Sequence, residues 1–253
     1  MEAITENLDG KAALITGASS GIGERTAKAL AESGASVALA ARREDELHQL
    51  ADEIESDGGE TLVVPTDVTD EDDVAEMVDR THEEFGSIDV LVNNAGVMLL
   101  ENVEDADTDN FRQMVEVNLL GLMDVTHEVL PYMQKQGEGH IVNISSVAGR
   151  KAMAGGAGYN ATKFGVNGFT EALRQDVTGE NDIRTTLIEP GFVDTELAEH
   201  IPDDEQQEQT KELLEQMDVL RPEDIARSIA FAVGQPTHVD VNELLIRPTG
   251  QEL

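Results

Sequence analysis

The chain has 253 residues, 52 Asp and Glu against 17 Lys and Arg, a formal net charge of −35 and no cysteine. Such a balance repels phosphate backbones and anionic lipid and so argues against nucleic-acid and membrane binding. The missing thiols exclude disulfides, thiolate metal sites and cysteine nucleophiles.

The acids are dispersed along the whole chain. They therefore suit a solvent salty enough to screen them, with a Debye length of about 3 Å at 1 M, better than they suit one basic partner. No basic segment followed by an apolar run opens the sequence, and no apolar run approaches ~18 residues. A cytoplasmic protein of halophilic type is expected. The six histidines lie far apart without metal-ligand spacing, so no catalytic metal is expected.

Short apolar runs alternate with longer amphipathic stretches, the βαβ pattern of a parallel sheet covered on both faces. Strands are predicted near Ala12 to Thr16, Ser36 to Ala41, Thr61 to Pro65, Ile88 to Val92, His140 to Ser145, Arg184 to Glu189 and Glu243 to Ile246. Helices are set by Glu24 to Glu32, Asp72 to Phe85 and Phe111 to Met133. Seven strands with right-handed crossovers make a doubly wound sheet, in which ligands bind beyond the carboxyl ends of the strands.

Directly after the first strand runs Thr16-Gly17-Ala18-Ser19-Ser20-Gly21-Ile22-Gly23, with a helix opening at Glu24. Gly17 permits the turn, Gly21 lets the backbone approach a pyrophosphate, and Gly23 lets the helix pack on the strand. The N–H groups of the helix N-terminus are left to hold phosphate. Further along, Tyr159 and Lys163 stand four residues apart, which stacks a phenol and an ammonium on one helix face. Lowering a phenol's pKa by roughly 3 units takes about 4 kcal/mol. One ammonium at ~4 Å and an effective dielectric of ~20 supplies that order. The pair is therefore expected to move protons near neutrality.

The Gly-rich turn, the Tyr159/Lys163 pair and the chain length together resemble the short-chain dehydrogenase/reductase family, along essentially the whole chain. Further motifs follow in the family's order: Asp67-Val68, Asn93-Asn94-Ala95-Gly96, Asn118, Ser145-Ser146 and Pro190-Gly191. The resemblance implies an α/β, Rossmann-type fold with a seven-stranded parallel sheet and helices on both faces. It is expected as a single domain over residues 1–253, with cofactor binding mainly over 11–145 and the substrate and lid region mainly over 146–220.

It also implies a hydride transfer between a nicotinamide cofactor and a small carbonyl or alcohol substrate. The catalytic set would be Asn118, Ser146, Tyr159 and Lys163. Ser146 is preferred to Ser145 because the family places its serine thirteen residues before the tyrosine. Tyr159 would give the proton, and Ser146 would hydrogen-bond the same oxygen. Lys163 would hold the ribose hydroxyls and lower the Tyr159 pKa, and Asn118 would anchor a water chain.

Cofactor contacts are expected from Gly17 to Gly23, from Asp67 and Val68 at the adenine, and from Asn93 to Gly96 along the ribose. Pro190, Gly191, Val193 and Thr195 are expected near the nicotinamide. At the end of the second strand Ala41 replaces the acid of NAD enzymes, and Arg42 and Arg43 follow, which favours NADP(H). The arginines can alternatively pair with Glu44, Asp45 or Glu46.

Glu196 to Gln216 reads as a lid or as a solvated acidic helix. Arg150 and Lys151 are candidates to meet a carboxylate substrate. Ile188 to Gly191 and the ending Val241 to Thr249 resemble NADP-dependent 3-hydroxy acid dehydrogenases. A non-catalytic NADP(H) sensor of the same fold and a 3-oxoacyl-thioester reductase are the alternatives. A homo-oligomer, tetramer or dimer, is implied through the helices near Phe111 to Met133 and Thr162 to Asp176.

Overall fold

The computed structural model describes residues 7–179, 181–215 and 218–252. Its strands are β1 (Ala12–Thr16), β2 (Ser36–Ala41), β3 (Thr61–Pro65), β4 (Val90–Asn93), β5 (Glu138–Ile144), β6 (Asp182–Pro190) and β7 (Glu243–Ile246). All pair in parallel in the order β3-β2-β1-β4-β5-β6-β7. Successive side chains leave a strand on opposite faces. Ala13 and Ile15 accordingly enter one core cluster and Leu14 the other.

Helices α1 (Gly21–Glu32) and α2 (Glu44–Ser56) cover the first face. On the second lies α3 (Glu71–Phe85). After β4 come α4 (Thr108–Val115), α5 (Gly121–Gln136), α6 (Ala157–Val177), α7 (Asp204–Glu215) and α8 (Pro222–Val233). Ile225, Ile229 and Val233 of α8 join α1 and α2, whereas Val125 and Val129 of α5 and Leu173 and Val177 of α6 join α3. Among the described residues no helix is long and apolar enough to cross a membrane.

The run Phe111 to Met133, read in the sequence as one helix, is divided by a π-helical turn, Glu116–Leu120. Close packing at its end explains why Gly121 follows, since a Cβ there would lie 2.7 Å from the Val68 carbonyl oxygen. The turn matters because it carries Asn118.

β1 sits between β2 and β4. The chain leaves β1 toward α1 on one side, and β4 departs on the other. This is the switch point at which the carboxyl ends of a doubly wound sheet open a crevice.

The sheet buries a titratable imidazole on β5. His140 on β5 is 1% exposed, with Nε2 2.7 Å from Thr186 Oγ1 and Nδ1 without a partner. Burial, aided by the Arg184 charge, holds its pKa well below the ordinary imidazole range. A depressed folded pKa means that the unfolded chain takes the proton more readily. The stability due to the neutral ring is thus present above about pH 6.5 and is lost as pH falls, by up to roughly 1.4 kcal/mol per pH unit. The urea midpoint is expected to fall less steeply between about pH 7 and pH 5 in His140→Gln than in the native protein. Equal slopes would contradict this assignment.

Candidate active site

A cavity of about 770 Å³ opens over the carboxyl ends of the strands. Its floor on the β1 side is the Gly-rich turn. Gly17 and Gly21 adopt φ of 65° and 56°, the left-handed region that glycine takes without strain. A Cβ on Gly17 would lie 2.8 Å from Ala95 Cα. Gly23 lies behind the turn and does not line the cavity. A Cβ there would meet the Gly17 carbonyl oxygen at 2.2 Å, so this glycine serves the packing of α1 on β1.

Thr16 ties the turn to β4. Its Oγ1 accepts from Asn94 N at 3.0 Å and Ala95 N at 3.1 Å, and Asn94 Nδ2 donates to the Thr16 and Gly17 carbonyls, each at 3.0 Å. Ser20 makes no side-chain cap on α1, which leaves the first-turn N–H groups beside Ser19, Ser20 and Ile22 open to the cavity. These features fit a dinucleotide phosphate.

At the end of β2, Ala41 is followed by two exposed arginines that both line the cavity. Arg43 donates from Nε to Ser19 Oγ at 3.1 Å and pairs through Nη1 with Glu196 at 3.2 Å. The alternative partners Glu44, Asp45 and Glu46 are not used. Arg42 has no hydrogen bond or ion pair among the described residues. Asp67 and Val68 line the next part of the wall. Asp67 Oδ1 accepts from Thr69 N at 3.0 Å and Thr69 Oγ1 at 2.8 Å. Two arginines and no carboxylate at the β2 end make a donor set suited to a 2′-phosphate.

Asn93 does not stand with its neighbours along the cavity, as the sequence reading had it. It is 3% exposed and donates from Nδ2 to Thr126 Oγ1 and Asn143 Oδ1, both at 2.9 Å. As the last residue of β4 it pairs with Asn143 of β5, and strand alternation turns its side chain into the core. Asn94, Ala95 and Gly96 do line the cavity.

Ser146, Tyr159 and Lys163 converge at the other end of the cavity. Ser146 caps a 3₁₀ turn, Val147–Gly149, and its Oγ accepts from Ala148 N at 3.1 Å. Its hydroxyl also donates to the Pro190 carbonyl at 3.5 Å and stands close enough to the Tyr159 phenol to favour its ionised form. Ser145 also borders the cavity, but its hydroxyl is committed to Asn167, donating to Oδ1 at 2.5 Å.

Tyr159 is 8% exposed within an apolar cluster that includes Leu99, Leu100 and Ala198. Lys163 Nζ donates to the Ile144 carbonyl at 2.9 Å and lies 5.7 Å from the Tyr159 ring centroid.

The expectation that Lys163 lowers the phenol is corrected here. Burial pushes the Tyr159 phenol up to about 12, against the opposing effect of Ser146. The same burial brings the Lys163 ammonium down to about 8. Low dielectric penalises both charges, and the ammonium is committed to a carbonyl, so its attraction does not overcome the desolvation of a phenolate.

Asn118 is 1% exposed and lies behind the wall. It accepts from Val97 N at 2.7 Å and donates to Val97 O at 2.8 Å and Thr162 Oγ1 at 3.3 Å. Its amide thus braces the segment after β4 against α6. A Cβ on Gly96 would fall 3.4 Å from Asn118 Oδ1 and 3.9 Å from Lys163 Nζ, so the Asn118 brace, Gly96 and the lysine pack as one unit.

Pro190 and Gly191 follow β6 into the cavity wall. Leu220 N donates to Phe192 O and Asp194 N to Leu220 O, which leaves the N–H and C=O of Val193 facing away from that partner. Thr195 stands across from the Gly-rich turn, where a Cβ on Gly21 would be 3.2 Å from its Cγ2. The expected lid is a 3₁₀ turn, Glu196–His200, followed by α7; Gln216, the last residue of that expectation, lies outside the described residues. Sequence reasoning missed the Arg43–Glu196 pair joining lid to cofactor side. It also missed Gln251, whose Oε1 accepts from Phe192 N at 3.0 Å.

Arg150 and Lys151 do not reach the cavity. Arg150 donates from Nε to Glu189 Oε2 at 2.6 Å and pairs also with Glu243. Glu189 is fully buried and takes a further bond from Asn167 Nδ2 at 2.8 Å. A buried carboxylate demands such partners, and that demand removes Arg150 from substrate binding.

A sequence profile of the short chain dehydrogenase family matches residues 11–206. An uncharacterised oxidoreductase of Staphylococcus saprophyticus is 43% identical over 249 residues, 98% of this chain and 99% of that one. Similar solved structures include the closed form of a serine dehydrogenase complexed with NADP+, 35% identical with a TM-score of 0.88 over 96% of each chain. Another is an alcohol dehydrogenase from the archaeon Thermococcus sibiricus complexed with 5-hydroxy-NADP, 31% identical with a TM-score of 0.84 over 96% of this chain and 98% of that one. With the profile spanning most of the chain and a relative matching nearly all of it, the protein belongs to the short-chain dehydrogenase family of oxidoreductases.

Proposed function

We propose that the protein is an NADP(H)-dependent oxidoreductase that interconverts a carbonyl group and a secondary alcohol. The observation that carries this reading is one continuous cavity with a phosphate-type cradle and a free arginine at one end and Ser146, Tyr159 and Lys163 at the other. In this reading the dinucleotide is held mainly by residues 11–145, and the substrate wall and lid come mainly from residues 146–220.

Arg42, assisted by Arg43, holds the 2′-phosphate. Asp67 and Val68 meet the adenine, and Lys163 meets the nicotinamide ribose. Val193 and Thr195 orient the carboxamide and phosphate region beyond Pro190 and Gly191. When bound, the cofactor supplies or accepts the hydride.

The chain's own contribution is orientation and the proton. Tyr159 remains a neutral phenol at neutral pH and is a ready donor to the oxygen of a carbonyl undergoing reduction. Ser146 donates a second hydrogen bond to the same oxygen. Asn118 is a positioning residue. A ketone-dependent loss of NADPH absorbance tests the reading, and its absence across a broad panel of ketones and aldehydes would count against it.

The neighbouring NADP-bound structures support the cofactor assignment, and the serine dehydrogenase neighbour supports the hydroxy acid likeness only at the level of the fold. Arg150 and Lys151, the cations expected to meet a hydroxy acid's carboxylate, do not line the cavity.

We further infer salt adaptation and a homo-oligomer. Leu120 and Phe164 are 47% and 46% exposed near the junction of the π-helical turn and α6, and Phe231 and Leu245 are 40% and 37% exposed on α8 and the edge strand β7. Screening of −35 charges per chain would let such faces meet. Sedimentation is expected to shift from monomer toward tetramer or dimer as KCl rises to the molar range. A monomer at every salt concentration would contradict this.

A further inference from the structure

Resting on the oxidoreductase reading, we propose that the substrate is an uncharged, largely aliphatic ketone or secondary alcohol, and that carboxylates are excluded by the pocket itself. The wall around Tyr159 is made by Val97, Met98, Leu99, Leu100, Ala198 and Leu214, all of which line the cavity. Its polar members are neutral amides and hydroxyls, Gln113, Gln206 and Thr210, with His200 exposed on the lid turn.

Every Lys and Arg of the chain lies among the described residues, and three of them line the cavity: Arg42, Arg43 and Lys163. The two arginines sit at the end of β2. Three strand spacings of about 4.8 Å, roughly 14 Å, separate that position from the end of β5. Lys163 is bonded to the Ile144 carbonyl and, in the proposed reading, gives its remaining donors to the nicotinamide ribose, and Arg150 is held by Glu189 and Glu243.

A carboxylate beside the reacting carbonyl would lose its hydration against this wall and gain no cation in return. A neutral chain of the same shape gains by burial. In the reduction, hydride from NADPH forms a bond to the carbonyl carbon while the C=O π bond opens and its oxygen takes the phenolic proton of Tyr159. The ketone becomes a secondary alcohol, NADPH becomes NADP+, and the phenol is reprotonated from solvent.

The test uses acetoacetate and ethyl acetoacetate, which carry the same 3-oxo group with and without the charge. It is run in molar KCl, where a Debye length of about 3 Å suppresses repulsion by the acidic surface. The expected kcat/KM is about 100-fold or more higher for the ester. Ligand-observed NMR with NADP+ present is expected to show saturation transfer to the ester and none to the acid.

Met153, 45% exposed at the cavity wall, gives a reciprocal variant. Met153→Arg is expected to narrow the ester-to-acid ratio about tenfold, and an unmoved ratio would overturn the proposal. Equal or better turnover of acetoacetate would also overturn it, whichever side chain receives the carboxylate, while leaving the oxidoreductase reading intact. No turnover of any ketone or aldehyde would overturn both.

Discussion

Tyr159→Phe is expected to lower kcat for ketone reduction by about a thousandfold while leaving the Kd for NADPH within about threefold. The variant removes the one hydroxyl assigned to deliver the proton. Phe fills the same apolar cluster, and the lost partner is the Ser146 hydroxyl, so the fold and cofactor cradle are left in place.

A phenol raised to about 12 sets the pH behaviour of the native enzyme. The protonated form is the donor and dominates below that value. Reduction should therefore show no loss from tyrosine ionisation through neutral pH, whereas alcohol oxidation, which needs the phenolate as base, should rise with pH. Steady-state kinetics with a fluorescence titration of NADPH separates chemistry from binding. A Phe variant with normal turnover would remove Tyr159 from the mechanism.

Arg42→Ala is expected to raise the KM for NADPH by about 10- to 100-fold and to change that for NADH by less than about threefold. The basis is the loss of roughly 1.5–3 kcal/mol of charge-assisted hydrogen bonding to a phosphate that NADH lacks. Arg42 is the informative position because it has no competing partner among the described residues, whereas Arg43 is already shared between Ser19 and Glu196. Equal effects on the two cofactors would mean that Arg42 merely shapes the adenosine pocket.

The strands were the most legible part of the fold. The central strands β1 and β2, buried on both faces, and the edge strands β3 and β7 stand out as short apolar runs whose limits agree with the structure. β4 begins at Val90, two residues later than its apolar run. Ile88 and Asp89 precede it, with Ile88 N bonded to Gln136 and Asp89 receiving Lys11 and Ala12. β6 runs longer, from Asp182, because pairing with β5 carries through polar positions that hydropathy discounts.

Within the site, the Gly-rich turn, Tyr159 and Lys163 were legible because their spacing brings them to a strand end or to one helix face, whereas the preference for Ser146 over Ser145 rests on the family resemblance. The orientations of Asn93, Asn118 and Arg150 were not legible. Each is decided by a distant partner, Thr126 and Asn143, Val97, or Glu189 and Glu243, that no local pattern announces. The high phenol pKa was missed for a related reason. Helical spacing places the lysine, but burial of the surrounding cluster sets the dielectric.

The most direct measurement follows deuterium from NADPH labelled at the transferable position of its nicotinamide into the product of ethyl acetoacetate in molar KCl. One deuterium at the former carbonyl carbon, abolished in Tyr159→Phe, is the expected result. Tight NADPH binding with no labelled alcohol from this or any other carbonyl would contradict hydride transfer and leave a cofactor-binding protein without the chemistry assigned to Ser146, Tyr159 and Lys163.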